Sequence, residues 1–163
     1  MFDKQTLQAV ADHLSRHHQT IAVAESVTAG FLQAALASAE NASTFFQGGI
    51  TAYNIHQKYA HLHVDLPHAI ACNCVSGQVA NEMALAVARS FSSDWAIAIT
   101  GYASPIPEEH VNELFAFYAI VFNHEIILSD TIKANKESPE EVQLEYVDHV
   151  IKKLLQCFRE PGT

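Results

Sequence analysis

Residues 20–30, TIAVAESVTAG, decide the fold of this chain. The stretch opens with an apolar run that ends at residue 24, which is typical of a buried strand. Small and polar residues follow at 25–30, and the next segment, FLQAALA at 31–37, places apolar side chains at helical spacing. A strand, a tight turn and a helix in this order put the backbone N–H groups of the turn at a helix N-terminus. Such groups can hold an anion or a developing oxyanion.

Ser26 stands where the strand of this stretch gives way to the turn. Open α/β sheets bind ligands at the carboxyl ends of their strands, so a serine at this place can face a ligand. The alternative is that Ser26 and Thr28 cap the helix, as serine and threonine often do. Capping serines outnumber nucleophilic ones, so the residues alone favour the cap and leave the catalytic interpretation open.

Hydrophobic periodicity and turn signals predict further strands and helices along the rest of the chain. An apolar run at 94–100 indicates a central strand covered on both faces, and a tight turn at 123–124 indicates a hairpin. Residues 64–67 are interpreted as a connection. This order predicts a three-layer α/β/α sandwich around a mixed, mostly parallel sheet. The predicted helices span residues 3–18, 29–39, 55–62, 76–90 and 138–158, and the predicted strands 20–24, 50–53, 94–100, 114–122 and 125–133.

The composition fits one globular domain over residues 1–163. The chain is 49% hydrophobic and 17% charged, which argues against disorder. Its net charge of −9 argues against a nucleic-acid partner and against an anionic membrane surface, and no apolar run is long enough to span a bilayer. Three cysteines fit a reducing cytoplasm. A homo-oligomer is compatible with such a domain, and the sequence fixes no subunit number.

Three predicted strands end in polar residues, Ser26, Tyr53 and Thr100, and Lys58 lies about one and a half helical turns beyond Tyr53. If these ends converge, the lysine stands near the serine in a mostly apolar cleft. Desolvation would then lower the pKa of the lysine, and the neutral amine could take the proton of the Ser26 hydroxyl. The N–H groups of residues 28–30 could receive the oxyanion. From spacing alone, a solvated Lys58 is the default expectation.

Histidines and cysteines suggest a second kind of site, one that binds a metal ion. His13 and His17 are four residues apart on the first predicted helix, and His68 precedes the pair Cys72 and Cys74. A structural zinc site needs four ligands, and no second pair in the sequence completes either group. We therefore expect no metal and no cofactor.

Four blocks of sequence resemble the CinA C-terminal domain family, which includes nicotinamide mononucleotide deamidases of the PncC type. They are AESVTAG at 24–30, GGITAYNIHQK at 48–58, VS at 75–76 and DWAIAITGYASP at 94–105. The usual family blocks are AESCTGG, YSNxxK, GAVS and TGxAGP, in the same order. Some members carry a further N-terminal domain of molybdopterin-binding type, and by this resemblance we expect a stand-alone version of the domain.

The resemblance implies a serine/lysine amidohydrolase that converts nicotinamide mononucleotide to nicotinate mononucleotide and ammonia, so the expected partner is a small molecule, here a nucleotide. It makes Ser26 the nucleophile, Lys58 its base and Tyr53 a neighbouring hydroxyl for proton transfer or positioning. Glu25 would either orient the lysine or cap a backbone group. The substrate-binding set that the resemblance implies is Glu25, Thr28, Ala29, Gly30, Thr100 and Gly101.

The chain departs from the family pattern where a nucleotide would be held. Val27 replaces a cysteine, and Ala29 puts a methyl group where backbone would approach the ligand. The glycine-rich loop of the family is here an acidic segment at 108–115. Pro139 and Gln143 stand near the places of arginines, whose forked side chains suit a phosphate. Two hypotheses therefore stand: an amidohydrolase, and a catalytically silent or repurposed paralogue that binds a small ligand or another protein.

Overall fold

The computed structural model describes residues 2–159, and these contain six helices, five strands and two single 3-10 turns at Ala42–Thr44 and Pro107–Glu109. None of the helices in this part of the chain is both long and apolar enough to cross a bilayer. In chain order the elements are α1 (Lys4–His17), β1 (Ile21–Glu25), α2 (Phe31–Ala37), β2 (Phe46–Thr51), α3 (Ile55–Leu62), α4 (Leu66–Ala71), α5 (Gly77–Ser90), β3 (Trp95–Gly101), β4 (Phe115–Phe122), β5 (Glu125–Lys133) and α6 (Pro139–Cys157).

The five strands form one mixed sheet in the order β2-β1-β3-β4-β5. β1 pairs in parallel with both β2 and β3, and the hairpin of β4 and β5 continues the sheet with β4 antiparallel to β3. Four strands therefore point the same way and β4 runs against them. The carboxyl ends of β1, β2 and β3 meet at one edge of the sheet, beside the start of β4, where Gly101 pairs with Ala116.

Alternate side chains of the central strands face two different helix layers. On one face, large residues of β1 and β3, such as Val23, Trp95 and Ile97, pack in one core with residues of α1, α2 and α6. On the other face, alanines of the same strands, including Ala22 and Ala98, share a core with α3, α4 and α5. The buried side of α5 is itself rich in alanine, so this helix can lie close to the sheet. The two cores confirm the predicted three-layer sandwich.

The start of β2 differs from the sequence-based prediction. The strand begins at Phe46 rather than at residue 50, because Gly48 and Gly49 lie inside it and not in a turn before it. A side chain on Gly49 would come within 2.6 Å of the Val23 carbonyl oxygen. Glycine is therefore what lets β2 approach β1 so closely.

The connection predicted at residues 64–67 was wrong, because α4 begins there. Asp65 is the N-cap of α4, and its side chain accepts a hydrogen bond from the His68 N–H group. Pro67 stands in the first turn, where its missing N–H group costs nothing. α2, by contrast, begins two residues later than predicted, because Ala29 and Gly30 adopt left-handed φ angles of 51° and 101°.

Candidate active site

A cleft of about 620 Å³ opens at the sheet edge where β1, β2 and β3 end. Its wall is formed by the turn after β1, the start of α3, the connection from α4 to α5, the loop after β3 and the start of α6. Segments far apart in the chain are thus brought to one cavity. Five of the predicted site residues line it: Ser26, Tyr53, Lys58, Thr100 and Gly101.

Lys58 brings a buried amine into this cleft. It lies in α3, and only 2% of the residue is exposed. Its amine makes no hydrogen bond and no ion pair within residues 2–159. Burial lowers the pKa of the Lys58 amine, because the charged form is desolvated. The amine is therefore biased toward the neutral form, in which its lone pair can accept a proton.

The Cys74 thiol is the group whose charge, once formed, would oppose this shift. Burial raises the pKa of the Cys74 thiol above its usual value of 9.0, and this effect outweighs the lowering caused by Lys58. The thiol is thus neutral at pH 7 and supplies no counter-ion to the lysine. The Cys74 carbonyl oxygen accepts a hydrogen bond from the Thr100 hydroxyl at 2.8 Å. This bond ties the connection between α4 and α5 to the end of β3.

Ser26 directly follows β1 and is 6% exposed. Its backbone N–H group donates to the Ile99 carbonyl oxygen at 3.1 Å, so the contact of β1 with β3 extends to the serine itself. The N-cap residue of α2 is Gly30, and no side chain of that residue caps the helix. Ser26 therefore does not have the capping role that the residues alone favoured, and it belongs to the lining of the cleft.

Glu25 caps α2 from the end of β1. Its side chain is fully buried, and its carboxylate accepts four hydrogen bonds. One oxygen accepts from the Thr28 hydroxyl at 2.5 Å and from the N–H groups of Gly30 and Leu32 at 3.1 and 2.9 Å. The other oxygen accepts from the Gln33 N–H group at 2.8 Å. Of the two roles left open for Glu25, the structure shows the backbone cap.

The turn between Ser26 and α2 supports the cleft from behind. The Ala29 N–H group donates to the Ser26 carbonyl oxygen at 3.1 Å, and the Gly30 N–H group donates to the capping carboxylate. Thr28, Ala29 and Gly30, which we expected to line the pocket, are outside its lining. The N–H groups of Val27 and Thr28 have no acceptor within residues 2–159. Val27 lines the cleft, so its N–H group is the candidate oxyanion donor of this turn.

Tyr53 lies at the mouth of the cleft, in the connection from β2 to α3, and is 69% exposed. Asn54 follows as the N-cap of α3, and its side chain accepts from the Gln57 N–H group at 3.0 Å. The Asn54 carbonyl oxygen accepts from the Lys58 N–H group at 3.1 Å. This cap fixes the first turn of α3 and therefore the position from which the lysine side chain departs.

Two residues of α6 anchor the loops of the cleft. The Gln143 side-chain amide donates to the Val27 carbonyl oxygen at 2.8 Å, and the Tyr146 hydroxyl donates to the Tyr102 carbonyl oxygen at 2.9 Å. Burial raises the pKa of Tyr146, which keeps its hydroxyl a proton donor. Sequence reasoning missed both anchors. The bonds join residues 116 and 44 positions apart, so no local pattern signals them.

The end of α4 and the connection from α4 to α5 supply a wall that the sequence analysis also missed. Ile70 lines the cleft although 66% of it is exposed. Asn73 lines it as well, and its amide donates to the Tyr102 hydroxyl at 3.3 Å and to the Glu109 carboxylate. The signal that could have placed this wall is the helix start that begins with Asp65, which was interpreted as a connection.

The histidines considered as metal ligands have other contacts. Within residues 2–159, no group of three or more His, Cys, Asp or Glu side chains could hold a metal ion. The rings of His13 and His17 stack with centroids 4.2 Å apart, and His13 also stacks on Phe158 at 3.9 Å. The His68 ring nitrogen Nε2 lies 2.8 Å from the Ser76 hydroxyl, at the start of α5.

Relatives of this chain by sequence include CinA-like proteins. A CinA-like protein of Prochlorococcus marinus is 42% identical over 103 residues, which cover 63% of this chain and 24% of the relative. The Protein MG115 homolog of Mycoplasma pneumoniae is 39% identical over 116 residues, which cover 70% of this chain and 73% of the relative. The chain spans about a quarter of the length of the CinA-like relatives that it matches.

Solved structures share the fold over nearly the whole chain. The competence or damage-inducible protein from Enterobacter asburiae matches with a TM-score of 0.90 at 24% identity, over 97% of this chain and 99% of that chain. A CinA superfamily protein from Escherichia coli matches with a TM-score of 0.86 at 25% identity, over 94% and 89% of the two chains. The family model of the CinA C-terminal domain matches residues 3–158. The chain therefore belongs to the CinA C-terminal domain family.

Proposed function

We propose that this chain is a serine/lysine amidohydrolase that converts nicotinamide mononucleotide, or a close relative of it, to the corresponding acid and ammonia. The observation that carries the proposal is Lys58, a residue that is 2% exposed, lines the same cleft as Ser26 and has an amine with no hydrogen bond or ion pair within residues 2–159. A buried lysine of lowered pKa is the kind of base that can activate a serine. Because three cysteines fit a reducing compartment, we place the proposed reaction in the cytoplasm.

Ser26 begins the first half of the proposed reaction. Its oxygen Oγ forms a bond to the carboxamide carbon while its proton passes to Nζ of Lys58. The charge that develops on the carbonyl oxygen accepts a hydrogen bond from the Val27 N–H group. The Lys58 ammonium group then gives its proton to the amide nitrogen, the C–N bond breaks, and ammonia leaves an ester on Ser26.

Water completes the second half. It adds to the ester carbon while Lys58 takes one of its protons, and the bond from carbon to the Ser26 oxygen breaks as that oxygen takes the proton back. One water is consumed, one carboxylic acid and one ammonia are released, and both side chains return to their starting states. Tyr53, at the cleft mouth, would position the substrate.

A catalytically silent or repurposed paralogue that binds a small ligand is the second candidate. The observation that favours it is that Ser26 and Lys58 make no direct hydrogen bond to each other. Such bonds are often long before substrate binds, so this geometry leaves the amidohydrolase as the first candidate. The departures from the family pattern bear on the substrate more than on the two reacting groups.

Ammonia release distinguishes the two candidates. Purified protein is incubated with nicotinamide mononucleotide and with nicotinamide riboside, and ammonia is measured over time. Ser26→Ala and Lys58→Met are expected to lose at least about a hundredfold in rate with the substrate that reacts. Matched controls are Ser15→Ala and Lys152→Met, which change the same residue types on the surfaces of α1 and α6. The rate should rise with pH through the lowered pKa of Lys58, because the free amine is the base.

The result that refutes catalysis is equally direct. Wild-type protein that releases no more ammonia than Ser26→Ala, from either substrate, would leave the binding function as the remaining candidate. Equal rates for wild type and Lys58→Met would keep a serine hydrolase but remove the lysine from its mechanism.

A further inference from the structure

We propose that the cleft selects a pyridinium carboxamide that carries no phosphate, so that nicotinamide riboside is bound better than nicotinamide mononucleotide. The inference rests on the proposed function for the identity of the reacting group, and it concerns the rest of the substrate. The two compounds share the carboxamide, the cationic pyridinium ring and the ribose. They differ in one phosphate, which carries a charge of about −1.5 to −2 at pH 7.

Within residues 2–159, the lining of the cleft offers no cation for that phosphate. In this part of the chain, Lys58 is the one charged residue that lines the cleft. The residue is buried, its amine is biased toward the neutral form, and the proposed chemistry needs that amine at the carboxamide. Phosphate sites are usually built from arginine forks, lysines or free backbone N–H groups at a helix N-terminus.

The N-termini of α3 and α6 both line the cleft, and that of α6 is poorly suited to an anion. α6 begins with Pro139, which lines the cleft and has no N–H group to offer. Glu140 and Glu141 follow in the first turn, and both are exposed. Their carboxylates already complement the positive end of the helix dipole. A phosphate at this helix end would be repelled by two like charges.

Glu109 adds a further negative charge at the rim. It lies in the 3-10 turn that follows β3, and it is exposed. Its carboxylate accepts a hydrogen bond from the Asn73 amide, and Asn73 lines the cleft. The Tyr102 hydroxyl, on another lining residue, accepts from the same amide. The negative charge is therefore held beside the cleft wall and not left on a distant surface.

The same features suit a cation. Tyr53 and Tyr102 both line the cleft, and Tyr53 is largely exposed to whatever enters. The face of an aromatic ring attracts a cationic group, and nearby carboxylates strengthen that attraction. A pyridinium ring without a phosphate meets these conditions, whereas its phosphorylated form carries a net negative charge into an acidic rim.

Binding is measured first with the Ser26→Ala variant, by calorimetry with each ligand, so that the readout does not need turnover. At low salt we expect nicotinamide riboside to bind at least about tenfold more tightly than the mononucleotide, and we expect added salt to narrow the difference. In the Ser26→Ala background, Glu109→Gln should reduce the preference by about threefold or more. Glu125→Gln is the matched control, because Glu125 begins β5 at the opposite edge of the sheet. It removes the same charge and should leave the preference unchanged.

The possible results separate this inference from the proposed function. Tighter binding of the mononucleotide, or no binding of either ligand at millimolar concentration, overturns the inference. Hydrolysis of the mononucleotide at the higher kcat/KM would overturn it too, while the serine/lysine mechanism stands. Preferred binding of the riboside without ammonia release would uphold the inference about the ligand and refute the amidohydrolase.

Discussion

Glu25→Gln tests whether the carboxylate behind the nucleophile holds the turn. In the wild type, one oxygen accepts from the Thr28 hydroxyl and from two backbone N–H groups, and the other oxygen accepts from the Gln33 N–H group. A glutamine can keep the first three bonds with its carbonyl oxygen. Its NH2 group then faces the Gln33 N–H group, donor against donor. The substitution therefore removes one acceptor and the charge while nearly conserving shape.

The expected loss of stability follows from these contacts. A buried donor left without its acceptor costs about 1–3 kcal/mol. Each of the three remaining bonds loses about 1 kcal/mol when its acceptor is no longer charged. The easier burial of a neutral side chain offsets part of this sum. We expect the free energy of unfolding to fall by about 3 kcal/mol, which corresponds to a drop of about 6–12 °C in melting temperature for a chain of this size.

Thermal unfolding at pH 7, followed by circular dichroism or calorimetry, provides the measurement. The matched control is Glu145→Gln on α6, where a partly exposed carboxylate accepts from the backbone and side chain of Asn135 and from the Lys136 N–H group. Solvent can replace those bonds, so we expect that control to lose less than about 1 kcal/mol. Equal melting temperatures for the two variants would refute the argument that Glu25 holds the turn.

Three further substitutions test the cleft. Gly101→Ala should lower the free energy of unfolding by more than about 3 kcal/mol, because the new Cβ would lie 2.4 Å from a backbone oxygen and separate the end of β3 from β4. The matched control is Gly77→Ala, whose new Cβ would have its nearest contacts at 3.8 Å. It should be neutral or stabilising in the same melting assay. Thr100→Val should cost about 1–2 kcal/mol in chemical denaturation, because the buried Cys74 carbonyl oxygen loses its donor, and an unchanged midpoint would contradict this. Lys58→Met should be more stable than the wild type at pH 7. Because the pKa of Lys58 is lowered by folding, the unfolded chain binds the proton more tightly than the folded chain, and this difference disfavours folding of the wild type. That difference should shrink as the pH rises from the lowered pKa toward 10.5, the value of a solvated lysine, and a difference independent of pH would contradict the assignment.

The central part of the fold could be predicted because its strands are long apolar runs. β1 and β3 are buried on both faces, and their sequences show it directly. β2 was placed too late because Gly48 and Gly49 are typical of a turn, and their place in a strand depends on how closely β1 approaches. α4 was missed because it has six residues, too few for a periodic pattern to stand out.

The residues of the candidate site at the strand ends could be predicted, whereas the contacts that hold the site in place could not. The rule that ligands bind at strand carboxyl ends placed Ser26 and Thr100 at one edge, and the family resemblance paired Ser26 with Lys58. The burial of Lys58 could not be predicted, because a lysine on a short helix is normally solvated. The role of Glu25 depends on a left-handed turn, and the role of Gln143 depends on a hydrogen bond to a residue 116 positions earlier in the chain.

The burial of Lys58 itself bears on the choice between the two candidate functions. Lys58 is 2% exposed, and its amine has no hydrogen bond or ion pair within residues 2–159, so its desolvation lowers the stability of the folded state, whereas methionine would fill similar space without that cost. A protein that used this cleft only to hold a neutral ligand would gain stability from such a replacement. The lysine therefore argues for chemistry that uses an uncharged amine beside Ser26. If Lys58→Met raises the melting temperature and abolishes ammonia release, Lys58 lowers stability and is required for activity, as expected for a catalytic base. A gain in stability in a protein that never released ammonia would instead identify the lysine as dispensable and favour the silent paralogue.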